Sequence, residues 1–128
     1  MKKSVNFTNE EILHLCHLFS DFNANQNIYF PAKLNYYIQY NMKQILDIGI
    51  EVENIRMEVA KHYGEKSNDG KESYIIKPEN FDAAQNELMQ LSKATREVDI
   101  YFVSLDDFEN ITLTSNQMQA LMFMIEEP

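Results

Sequence analysis

Between Pro31 and Tyr63 the chain carries one long stripe, stepping by four and three residues through Leu34, Ile38, Asn41, Ile45, Ile48, Val52, Ile55, Val59 and His62. Steps of this kind put all nine side chains on one side of an α-helix, so the spacing predicts a single helix over 31–63. Pro31 suits the first helical position, where its missing N–H would go unpaired anyway. Gly64 suits the stop, as the residue that takes a left-handed cap conformation at little cost. Such a rod is roughly 50 Å long at 1.5 Å per residue, too long to be covered by one small neighbour. Its stripe must be met by the flanking elements or by a second copy. Asn41 lies within the stripe, where a buried amide needs a partner, and Gly49 beside it allows either a close crossing or a bend.

The flanking patterns supply candidate partners. Val5 and Phe7 alternate with polar residues as in a short edge strand. Thr8-Asn9-Glu10-Glu11 is a capping box opening a helix over 8–22, striped by Ile12, Leu15, Phe19 and Phe22. Residues 23–27 form a polar break, and 64–73, without an apolar side chain, predict a mobile solvated loop. Tyr74–Ile76 is a short strand candidate. A helix follows over 78–95, striped by Phe81, Ala84, Leu88, Leu91 and Thr95, which suits an antiparallel hairpin with the long helix. The period then changes. Residues 97–105 are β-branched and aromatic and predict a strand that must pair with Tyr74–Ile76 or with Ser4–Phe7. An acidic turn and a second capping box, Thr114 to Gln117, lead to a last helix over 115–126. The expected fold is α+β and mainly α, one domain over 1–128. A long central helix sits in an antiparallel helical hairpin, with flanking short helices and a small antiparallel β element.

Charge sharpens this picture. Of a net −9, residues 1–96 contribute little, with 13 acids against 11 bases. Residues 97–128 hold Glu97, Asp99, Asp106, Asp107, Glu109, Glu126 and Glu127 and neither Lys nor Arg. Solubility alone accounts for such a bias, but a local field of this sign also repels nucleic acid and anionic membrane and attracts basic protein surfaces. No apolar run is long enough to span a membrane, and no apolar segment follows Lys2 and Lys3 as in a signal peptide. The single cysteine, Cys16, fits a reducing, cytoplasmic setting.

Few residues carry chemistry. His14, His17 and Asp21 share a helix face with Glu10 and form a weak metal candidate, on the side of an amphipathic helix where polar residues belong in any case. Cys16 falls near the apolar side, as a buried inert thiol does. No nucleophile elbow, phosphate cradle or cysteine pair is present, so no cofactor and no catalytic residue is assigned. Two interaction signals remain. Tyr29, Tyr36, Tyr37 and Tyr40 crowd a short span, and tyrosines favour surfaces that are half apolar and half wet. Met118, Met122 and Met124 would give the last helix an adaptable face, or the lid of the core.

The layout, with its Tyr-Ile-Ile-Lys-Pro-Glu-Asn-Phe helix entry, Glu-Val-Asp-Ile strand and closing Leu-Thr-Ser-Asn-Gln-Met-Gln-Ala-Leu-Met-Phe-Met-Ile-Glu-Glu helix, resembles small uncharacterised proteins of phages and prophages of low-GC bacteria. The likeness is loosest at the N-terminus and best over about Glu51–Glu127, and it carries no catalytic residues. It implies a viral origin and a role in particle assembly or in interference with host machinery, in the host bacterial cytoplasm. Three expectations follow. The first is a non-enzymatic acidic module that binds a basic partner, in its sharpest form an inhibitor of a host nucleic-acid-binding or defence protein. The second is an assembly component, such as a homodimer, self-associating along Ile38, Asn41, Ile45, Ile48, Val52 and Ile55. The third is a metal-dependent enzyme using His14, His17 and Asp21.

Overall fold

The computed structural model describes residues 1–24, 28–67 and 73–126. It is α+β and mainly α, with four α-helices and three two-stranded sheets among the described residues. β1 (Lys2–Thr8) runs into α1 (Asn9–Ala24), and α2 (Ala32–Tyr63) follows. The hairpin β2 (Gly64–Lys66) and β3 (Tyr74–Ile76) leads to α3 (Phe81–Lys93) and then to β4 (Thr95–Tyr101). β5 (Val103–Ser104), α4 (Ser115–Leu121) and β6 (Ile125–Glu126) close the described chain.

Local chemistry explains the helix starts. Thr8 Oγ1 accepts from the Glu11 N–H and the Glu11 carboxylate accepts from the Thr8 N–H, both at 3.0 Å, so two orphan donors of α1 are satisfied reciprocally. Thr114 and Gln117 make the same exchange at α4. Pro31 stands one place before its expected position, as the N-cap of α2 with an extended backbone. α2 is unbroken for 32 residues, as its stripe predicts.

The core forms where α1, the first two thirds of α2, the β1–β4 sheet and α4 converge. Ile12, Phe19, Ile38, Ile45, Ile100, Leu121 and Met124 are fully buried there. β1 and β4 are antiparallel, with Val5 opposite Val98 and Ser4 opposite Asp99. Alternation sends Val98 and Ile100 into the core and Glu97 and Asp99 to solvent.

Several element ends differ from the sequence expectation, each through tertiary pairing. Gly64 is not a left-handed cap: at φ −125° it is extended and begins β2, which pairs with β3. Residues 64–66 are therefore strand and not loop, while the centre of the expected mobile loop, 68–72, lies outside the described residues, as do 25–27 of the polar break. Because β3 is taken by β2, the partner of β4 is β1. A short 3₁₀ turn over Pro78–Asn80 precedes α3, which ends at Lys93, two residues before the expected 95. There the Ala94 carbonyl accepts from the Asn9 N–H at 2.9 Å and Thr95 enters register opposite Thr8. The strand expected over 97–105 starts at Thr95, is interrupted at Phe102, and resumes as β5 in a different sheet. The last helix stops at Leu121 and not at 126, because β6 pairs in parallel with β5. Met124 is thereby buried and Met122 exposed, so no continuous methionine face exists.

Candidate functional site

Asn41 makes the long helix part of the sheet. Its Nδ2 donates to the Tyr101 carbonyl at 2.9 Å and its Oδ1 accepts from the Tyr101 N–H at 2.8 Å. Met1 exchanges backbone bonds with Phe102, so the polar groups of Tyr101 face the other way, toward the free edge of β4. A side-chain amide offers one donor and one acceptor in the geometry of a peptide group, and Asn41 stands there in place of a missing neighbouring strand. Farther along, Arg96 of β4 pairs with Glu51 of α2 at 2.7 Å. The helix thus lies along the edge of β4 and brings its first tyrosines against the outer face of the sheet.

A four-ring cluster results. Tyr37 stacks on Tyr101 with centroids 4.5 Å apart and planes 14° from parallel, and Tyr40 meets Tyr101 edge-on at 4.9 Å. Tyr36, 59% exposed, lies about 6 Å from each of the other three rings. Two ammonium groups already sit over these rings, Lys2 over Tyr101 at 5.6 Å and Lys33 over Tyr37 at 5.9 Å. Tyr29, 83% exposed, stands apart from the cluster. Tyr101, which supplies the central ring, was not among the sequence candidates. The signal for it is the period of two in β4, which places Tyr101 on the same side as Asp99 and Glu97.

The acidic residues separate by role. Glu97 and Asp99 are exposed on the outer face of β4, opposite the neutral Asn6 and Ser4, and among the described residues neither forms an ion pair. Asp107 accepts from the Ser104 N–H at 2.9 Å and so holds its own turn. It also lines a cleft of about 360 Å³ with Lys33, Tyr37 and Phe102, on another flank of the tyrosine cluster. Asp106 and Glu109 are exposed in the same turn. Glu126 is paired with Lys3, which springs from the side of β1 opposite to Ser4. Glu127 lies outside the described residues. Instead of one acidic quarter there is a carboxylate pair beside aromatic rings, with a second acidic turn at their flank.

The metal candidate does not assemble. His14 lines a groove with Phe7 and Phe123, while His17 lines a different one with Cys16 and Glu53. Among the described residues no three His, Cys, Asp or Glu side chains converge as a metal site. Cys16 is half-buried between α1 and α2, and its thiol is pushed above the ordinary range by burial and then by the nearby Glu53 carboxylate. Tyr63 is held above the usual phenol range chiefly by donating to Glu87.

The self-association stripe is corrected too. Ile38, Asn41, Ile45 and Val52 are buried and Ile48 partly so by the chain's own elements, which leaves only Ile55 of that set exposed. The rod is covered from within because β4 and α1 pack along it. Among the described residues no helix is long and apolar enough to cross a membrane. Compared with family models, curated proteins and solved structures, the chain has no significant match.

Proposed function

We propose that this chain is a non-enzymatic binding module whose outer β4 face and tyrosine cluster receive a basic protein segment. The observation that carries this is the alternation of β4, which puts two carboxylates with no ion pair among the described residues in line with an aromatic ring stacked on α2. Tyrosine offers large contact area at low entropic cost, and carboxylates beside it select for positive charge. A basic nucleic-acid-binding groove is the sharpest form of such a partner, in keeping with interference with host machinery by a phage protein. The test is titration of an isotope-labelled sample with a short mixed Lys/Arg peptide. Amide shifts should centre on residues 97–101 and 36–40 and weaken steeply as salt is raised. Shifts that centre elsewhere, or none at millimolar peptide, overturn the proposal.

A second reading has one observation behind it. The second half of α2 exposes Ile50 and Met57, two turns apart on one face, and a homodimer through that face would cover them. A mass by light scattering that stays monomeric over a wide concentration range removes it.

A further inference from the structure

We infer that the site discriminates for arginine over lysine, the discriminating element being the outer face of the Tyr101 ring beside Asp99. The inference rests on the binding role proposed above. Tyr37 covers one face of the Tyr101 ring, and the Lys2 ammonium lies over the ring from its position directly opposite on β1. Lys33 sits over Tyr37 in the same way. The cluster therefore already holds ammonium groups of its own chain. A partner lysine that displaced Lys2 would exchange one ammonium–ring contact for an equal one.

A guanidinium gains more. It is planar and stacks flat on an aromatic face, it is less strongly hydrated than an ammonium, and its fork of N–H donors fits a carboxylate in a bidentate way. Asp99 is two residues from Tyr101 on the same side of the strand, roughly 7 Å away along the backbone. That separation lets one arginine stack on the ring and fork to Asp99 at once. Ser4, the residue opposite Asp99, brings no competing charge. Lys2 is thus a gate: it holds the ring against weak cations and yields to one that gains a stack and a carboxylate together.

Three peptides of equal length test this: hexa-arginine, hexa-lysine and hexa-citrulline, titrated against the full chain by calorimetry. Hexa-arginine should bind about tenfold more tightly than hexa-lysine, and hexa-citrulline should not bind measurably. Asp99→Asn should reduce the preference severalfold, leaving the part that comes from stacking on the ring. Lys2→Ala should strengthen both cationic peptides by the same factor and leave the preference in place, because each displaces the same ammonium; no gain for either would show that Lys2 does not guard the ring. Equal affinity for the two cationic peptides, or a preference untouched by Asp99→Asn, overturns the arginine inference and leaves charge-driven binding standing. Failure of both cationic peptides to bind overturns the inference and the proposed function together.

Discussion

Gly49 of α2 faces Cys16 of α1 so closely that a methyl group on Gly49 would lie 2.5 Å from the Cys16 sulfur. The glycine marks a close crossing and not a bend, since α2 continues unbroken through it. The thiol also donates to the Ile45 carbonyl at 3.6 Å, one turn before Gly49 on the same helix.

Gly49→Ala should therefore destabilise the protein by about 1 kcal/mol. Alanine gains about 1 kcal/mol of helix propensity, but overpacking a close contact costs typically 1–3 kcal/mol. Urea denaturation of the single and double variants separates the two effects. In a Cys16→Ala background the clash is gone, and Gly49→Ala should then stabilise.

Gly64→Ala should be costlier, about 2–3 kcal/mol, because the added Cβ would meet two backbone oxygens, those of Ile75 at 2.6 Å and Ala60 at 2.7 Å. Backbone cannot rotate aside as a thiol can. Hydrogen exchange should show protection lost first over 64–66 and 74–76.

Asn41→Leu should cost about 2–4 kcal/mol, since it strips the Tyr101 N–H and carbonyl of their partner at a buried position. The change should also reduce the near-ultraviolet circular dichroism of the tyrosine cluster. A variant as stable as the parent, with that signal intact, would show that β4 keeps its place without the helix.

Cys16 should react slowly with alkylating reagents at neutral pH, because burial and Glu53 both favour its protonated form. Glu53→Gln removes one cause, lowers the thiol pKa and should raise the rate severalfold. The contribution of the protonated thiol is fully present below the ordinary value of 9.0 and is lost as pH rises through the higher native value. Denaturation midpoints should fall on going alkaline, less steeply in Cys16→Ala.

The core and the starts of the helices were legible along the chain. The step pattern of α2 and the two Thr capping boxes act within a few residues of themselves, so no distant partner alters them. The site was only half legible. Tyr36, Tyr37, Tyr40, Glu97 and Asp99 stood out as separate signals, but their meeting depends on Asn41 reaching a strand 60 residues away.

What the amino-acid order determined by itself is where α1, α2 and α4 start and which way the helices face, through caps and periodicity, and the alternation that turns Glu97, Asp99 and Tyr101 outward from β4. Tertiary structure alone decided which strand pairs with which, where α3 and α4 stop, and which carboxylates find a basic partner among the described residues. The physical reason is that backbone hydrogen bonds at element ends go to whichever partner packing brings near, and that choice is not written in any local stretch. The same packing gave Lys3 to Glu126 and Arg96 to Glu51, and left Glu97 and Asp99 facing water beside the tyrosines.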